Sequence, residues 1–544
     1  MANFDHTFDV VIVGSGGAAM GTALGAVDEK LSVVMLEGTD KWGGSTAMSG
    51  GGMWLPNNPL MQRDGVADSR EAALTYMEEC VGSDYRATSR ARKEAFVDSV
   101  GDLVHTAEKY GVKFVRAAEY PDYYPELPGG RIGRAIEVKP LDSKVLGEWY
   151  DTMRLTAPLP IMTDDVWLIQ RAWSTWAGFK RGASLVRRML GFVATGKRGV
   201  GIGAAFATAF FQAVVAKGGA QLWLDSPAEE LIVEDGRVVG VRITRNGRTE
   251  TVGATRGVML AGGGFDRNDE MRREHHGIDQ ESSGNPGNLG VPISLGERAG
   301  AALELMDDAW WGASIDGAGD SDPSFIVGER ALPYSIMVDQ HGERFANEAE
   351  SYVDLGHHML EHDKDGAYWI IGDARHARRY MRTYAIDPRA NKALKAEGKL
   401  AQAKSIEELA TKLSMDPARL RATVDRFNGF ARAGIDDDFA RGKSAYDRYY
   451  GDPSVVPNAN LGPLEKGPFT AYRVVIGDLG TKGGVVTDEF ARALREDGSV
   501  IEGLYSAGNN SASVMGRTYP GPGSTIGPAA VFGLRAARFM ASAG

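Results

Sequence analysis

Gly14-Ser15-Gly16-Gly17-Ala18 closes a short apolar, β-branched run, Asp9 to Val13, and opens a helix-compatible stretch. A second apolar run, Leu31 to Leu36, then ends on Glu37 and Gly38. Glycines at this spacing let a turn close and let backbone amides approach a pyrophosphate at a helix N-terminus, while an acidic residue about 20 positions on suits a ribose hydroxyl pair. The pattern therefore predicts a dinucleotide site. Gly43-Gly44-Ser45, Thr46 and Ser49-Gly50-Gly51-Gly52 follow closely and add donors for a long ligand, which favours FAD over a nicotinamide nucleotide. Ala261-Gly262-Gly263 and Gly508-Asn509 end two further apolar runs, and Thr525-Ile526 open an alanine-rich C-terminal helix whose dipole suits the electron-rich edge of a reduced flavin. All of these are expected to touch the cofactor.

Other motifs carry less. Cys80 is the single cysteine, so a disulfide framework or a dithiol redox centre is excluded and electron chemistry must come from a bound group. His358, Glu361 and His362 spell a zinc-protease pattern, which an exposed helix face explains as well. Gly191 to Lys197 imitates a phosphate loop, but Arg198 stands where a Ser or Thr must bind magnesium. No metal site is expected.

The elements that must position these groups read as an α/β chain of two or more domains: 544 residues, 43% of them hydrophobic, are enough for a large core. The expected architecture is a Rossmann-type, glutathione-reductase-like FAD-binding domain, residues 1–282 and 473–544, interrupted by an α+β substrate domain, 283–472. A hairpin is expected to turn at Asp235-Gly236, and one long helix to run from Ser405 to Ala433. A net charge of -11 argues against nucleic-acid partners. Asp5 and Asp9 leave no signal peptide to be read in the first residues, so a cytoplasmic location is expected.

Within about 150–204 lies a reversal of sign. Residues 166–200 combine Trp167, Trp173, Trp176, Phe179, Leu185 and Leu190 with seven Lys or Arg residues and no acid. Two readings stand side by side: a peripheral membrane contact, and a helical flap or oligomer contact.

Taken together, the N-terminal motif, Gly257 to Gly264, Asp478 to Gly484, Asn509 to Ser513 and above all Gly516-Arg517-Thr518-Tyr519-Pro520-Gly521-Pro522-Gly523 resemble the 3-ketosteroid Δ1-dehydrogenases, relatives of the fumarate reductase flavoproteins. The likeness includes Tyr120 to Tyr124 and the run from Gly342 to Tyr352. It implies 1,2-desaturation of a 3-ketosteroid. The ketone oxygen would be held by the Tyr519 hydroxyl and the Gly523 amide. Tyr352 would be the base for the alpha proton, with Tyr123 hydrogen-bonded to it, and flavin N5 would receive the hydride. An external acceptor, a quinone among the options, would reoxidise the flavin. The chain departs from the pattern at Gly290-Val291-Pro292, ahead of a helix expected near Leu295, and at Asn509, where many FAD proteins carry an acid. Alternatives are 4,5-desaturation of a 5α-3-ketosteroid and a fumarate- or urocanate-type reductase, for which Arg344 and Arg517 are the available carboxylate partners.

Overall fold

The computed structural model describes residues 3–155, 158–279 and 282–543. Its first sheet grows from the expected βαβ unit. The strand His6–Val13 pairs in parallel with Val33–Leu36 on one side and with Arg248–Leu260 on the other; Gln221–Trp223 and Val500–Ser506 extend the parallel set outward. Central strands that are buried on both faces must be apolar throughout, and Val10 to Val13 and Val33 to Leu36 are buried without a break. The helix Gly17–Asp28 covers one face and packs on the C-terminal helix Ile526–Ser542. Thus the two ends of the chain meet under the same sheet. The hairpin turns as expected: Ala228–Glu234 and Arg237–Arg245 pair antiparallel, with Asp235 and Gly236 both left-handed.

The second sheet is antiparallel, in the order Ser324–Phe325, Ala309–Ile315, Phe469–Thr481, Tyr368–Gly372, Ser335–Val338. Residues 472 and 473, where the sequence divides the expected domains, both lie inside Phe469–Thr481, which pairs in this sheet up to Thr481. The single helix expected from Ser405 to Ala433 is two, Ile406–Lys412 and Pro417–Ala433. Ser414 adopts a left-handed conformation (φ 59°), and Asp416 caps the second helix with Pro417 in its first turn. The helix expected near Leu295 begins at Val291, behind Gly290, which packs on Met271 and Phe265.

The basic, aromatic segment forms two helices, Thr163–Gln170 and Trp176–Ala194, bracketed by the antiparallel ribbon of Leu141–Asp142 and Gly199–Val200. In Trp176–Ala194 only Gly178 is buried. The apolar stretch after Gly199 becomes the buried helix Ile202–Phe211. Among the described residues no helix is long and apolar enough to cross a membrane.

Candidate functional site

The dinucleotide groove is assembled where the strand His6–Val13 hands over to its helix. Gly14 has φ +113°, and a Cβ there would lie 2.4 Å from the Ala261 carbonyl oxygen, so only glycine fits. Gly16 caps the helix without a side chain and no acid occupies the first turn, so the positive end of the helix dipole is not neutralised and suits an external anion. Glu37 stands at the end of the neighbouring strand. Its Oε2 accepts from the Ser15 hydroxyl at 2.5 Å, and its Oε1 accepts from the Thr39 amide and hydroxyl at 3.1 and 2.9 Å. Burial pushes its pKa up, and these hydrogen bonds oppose the shift.

The second glycine-rich loop lies across the helix start. The Gly43 amide donates to the Ser15 hydroxyl (2.9 Å), the Gly17 amide to Thr46 Oγ1 (2.9 Å), and Asn288 Nδ2 to Ser45 Oγ (3.0 Å). Ser49 Oγ accepts from the Gly51 amide, and a Cβ on Gly50 would meet open space. From the other end of the chain, Gly508 abuts Ala18 and Ile526 lies beside Gly17, while Asn509 Oδ1 accepts from Trp310 Nε1 at 3.2 Å. Gly262 faces Pro292, Gly263 faces Asn288, and Gly38 lies near Pro227. A helix N-terminus without an acid in its first turn, a carboxylate and a row of hydroxyls and amides around one groove are a set that fits FAD.

The groove continues into a cluster of phenols. Gly523 (φ +90°) is pressed onto residue 52, where a Cβ would come within 2.1 Å of the Gly52 carbonyl oxygen. The turn carrying Tyr519 therefore sits directly against the 43–52 loop. The Pro520 carbonyl accepts from the Tyr76 hydroxyl (2.6 Å) and the Tyr123 amide (2.9 Å), which fixes the turn's position. The Gly523 amide donates to the Tyr519 hydroxyl oxygen at 3.3 Å. Tyr352 opens the helix Tyr352–Asp363, and its ring centroid is 5.0 Å from that of Tyr519; Tyr123 lies 4.9 Å from Tyr519 and 5.6 Å from Tyr352. The three tyrosines singled out in the sequence are thus brought together.

Tyr352 and Tyr123 meet edge to face, whereas the hydroxyl of Tyr123 pairs with that of Tyr120 at 3.3 Å, and Tyr120 in turn with Tyr450. Tyr446 packs on Tyr123, Trp310 on Tyr519 and Phe325 on Tyr352. Sequence reasoning missed Tyr446 and Tyr450; their spacing of four on a short helix was the available signal. Burial pushes Tyr352 and Tyr123 well above the usual phenol range. Burial also raises Tyr519, against hydrogen bonds from Tyr352, Thr525 and the Gly523 amide. A cavity of 320 Å³, lined by Tyr123, Tyr124, Tyr446, Glu350 and Asp354 among others, reaches the back of the cluster.

The remaining motifs are accounted for by ordinary partners. His358 Nδ1 pairs with Glu350 at 2.7 Å and His362 Nε2 with Asp339 at 3.0 Å, and among the described residues no three ligating side chains converge on a metal position. Gly191 to Ala194 end a helix and so do not form a phosphate loop. Arg344 is clamped by Glu348 (2.7 Å) and Asp436 (2.8 Å), and Arg517 by Tyr85 and Asp307.

The FAD binding domain family matches residues 9–526. A 3-oxosteroid 1-dehydrogenase of Mycobacterium tuberculosis is 41% identical, the match covering 98% of each chain. A 4-oxocyclohexanecarboxylate 2-dehydrogenase of Sinomonas cyclohexanicum is 34% identical over 98% of this chain and 93% of its own. Among solved structures, the 3-ketosteroid Δ1-dehydrogenase of Sterolibacterium denitrificans in complex with 1,4-androstadiene-3,17-dione superposes with a TM-score of 0.91 at 35% identity, covering 99% of this chain and 100% of that one.

Proposed function

This chain belongs to the FAD-binding 3-oxosteroid 1-dehydrogenase family, and from that premise we propose that it removes two hydrogens across the 1,2 bond of a 3-ketosteroid. The observation that carries the reading is the Tyr519–Gly523 donor pair, seated against Gly52 of the cofactor loop and in ring contact with Tyr352.

The roles follow from elementary chemistry. A C–H bond beside a ketone is acidic only if the enolate oxygen is stabilised. The Gly523 N–H donates to the Tyr519 hydroxyl at 3.3 Å, so the two donors are neighbours, and a ketone oxygen that displaces this bond takes both. Each donor lowers the barrier by about 3 kcal/mol. Tyr352 takes the alpha proton, and Tyr123 packs edge to face against its ring, the Tyr123 hydroxyl being turned to Tyr120 rather than to Tyr352. Gly14 to Ala18, Glu37, Gly38, Gly43 to Ser45, Ser49 to Gly52, Ala261 to Gly263, Gly508, Asn509, Thr525 and Ile526 would hold FAD, which when bound supplies the acceptor for the hydride that leaves the adjacent carbon.

A carboxylate-reducing reaction is disfavoured because Arg344 and Arg517 already hold acidic partners. The discriminating experiment incubates the FAD-loaded protein anaerobically with androst-4-ene-3,17-dione and with a 5α-saturated 3-ketosteroid, and the dithionite-reduced protein with fumarate, and identifies products by mass and NMR. The expected product is the 1,4-diene of the first. A 4-ene from the second with no new 1,2 double bond in either steroid, or succinate formed from fumarate by the reduced protein, would refute the assignment.

The insertion supports a further reading, contact with a membrane surface from which a sterol and a quinone acceptor are both drawn. Trp173, Trp176, Leu190 and Val193 are 69%, 68%, 62% and 72% exposed, a density of bare apolar groups that water does not favour. Arg181 and Arg188 turn inward to Asp164 and Asp165, leaving Lys180 and Arg187 exposed beside the aromatics. Co-sedimentation with vesicles containing anionic lipid is expected for the protein and is lost when Trp173, Trp176 and Leu190 become serine. Equal recovery of both proteins in the pellet contradicts it.

A further inference from the structure

Lys482 has no part in the proton and hydride steps above, yet it is a fully buried cation beside them. Its Nζ stands 3.2 Å from Asp308 Oδ2, and Asp308 Oδ1 is 2.7 Å from His357 Nε2. Burial pushes the lysine pKa down and Asp308 opposes that shift, while the Asp308 carboxyl is held down at about 2 despite its own burial, first by Lys482 and then by His357. Beyond this ion pair with Asp308, no further acceptor for Nζ is found among the described residues. A pair of this kind is not explained by stability, because packed apolar side chains of the same volume generally serve as well or better.

Its surroundings supply the explanation. Lys482 lines a small cavity with Arg92, Asn509, Ser511, Ser513 and Thr525. Arg92 is buried too, its Nε is unpartnered, and no carboxylate lines the cavity. The lysine ammonium lies 4.9 Å from the centroid of Trp310, which bonds Asn509 and packs on Tyr519. Two desolvated positive charges thus face the 508–526 segment, one wall of the cofactor groove. Adding electrons to a bound group makes it more negative, and in a poorly screened interior a nearby cation stabilises that state.

We infer that Lys482 is a positioning charge that makes the bound FAD easier to reduce, with Asp308 limiting the effect. The inference rests on FAD binding and is independent of the steroid, so its test needs no substrate.

The FAD-loaded wild type, Lys482→Met, Lys482→Arg and Asp308→Asn are equilibrated with a reference dye of known potential, and the reduced-to-oxidised flavin ratio is read by absorbance. Lys482→Met is expected to lower the ratio about tenfold at fixed potential, about 30 mV for a two-electron couple. Asp308→Asn removes the counter-charge and moves the ratio the other way, and Lys482→Arg stays near wild type. A purely structural role moves Lys482→Met and Asp308→Asn in the same direction or not at all, and either result overturns the inference. Should Lys482→Met not retain FAD, Asp308→Asn decides alone, and a ratio that fails to rise counts against it.

Discussion

A buried phenol is a poor base, and Tyr352 is buried among phenols. With its pKa pushed well above the ordinary 10.0, the phenolate fraction of the free protein is small at neutrality and grows with each step in pH. The kcat/KM for a 3-ketosteroid is therefore expected to climb from neutrality through pH 10 without levelling; a plateau near pH 7 would show a base of another kind. Polarisation of the ketone compensates for the weak base. Tyr519→Phe is expected to lower kcat by about 10²–10³-fold, with FAD content unchanged by absorbance; a change confined to KM would remove Tyr519 from the donor pair. The turn from Tyr519 to Gly523 was legible because its glycines and prolines are contiguous. Tyr450 was not, since it meets Tyr120 across 330 residues and no local pattern announces such a pairing.

At the level of elements, the parallel strands and the glycine turn were legible because apolar runs and Gly spacing are local signals. The break at Ser414 was also written, in Asp416-Pro417, but it was outweighed by helical periodicity on either side. What no periodicity reveals is how distant segments are clamped. Glu348 sits between Arg344 (2.7 Å) and Arg441 (3.2 Å), and Arg344 also holds Asp436, tying the segment before Tyr352 to the loop that follows Pro417–Ala433. Glu348→Gln leaves buried guanidinium charge uncompensated and is expected to cost about 3 kcal/mol or more. The Glu348 carboxyl is held down at about 2 from an ordinary 4.5, burial being outweighed by Arg344 and Arg441. Because its folded pKa is depressed, its contribution is complete above 4.5 and disappears as pH falls through about 2. Thermal melts of the two proteins should differ fully at pH 7 and converge in acid. A gap independent of pH would mean the charge is not responsible.

Across the whole molecule, a chain of net charge -11 places its exposed aromatics next to a local excess of base. If charge attraction guides that face to an anionic surface, vesicle binding should weaken as salt rises from about 0.01 M toward 1 M, where the screening length shrinks to about 3 Å. Binding indifferent to salt would leave the apolar groups as the sole cause. At this scale the glycine-rich loop at Gly52 and the turn from Tyr519 to Gly523 meet at one junction, where the cofactor groove reaches the phenols. The most direct test of that junction is a stopped-flow record of flavin absorbance when FAD-loaded protein meets androst-4-ene-3,17-dione without oxygen. Wild type should bleach in proportion to steroid, and Tyr352→Phe, with the same FAD content, should bleach at least about 10²-fold more slowly. An absorbance that steroid leaves unchanged, or equal rates in the two proteins, would contradict the account.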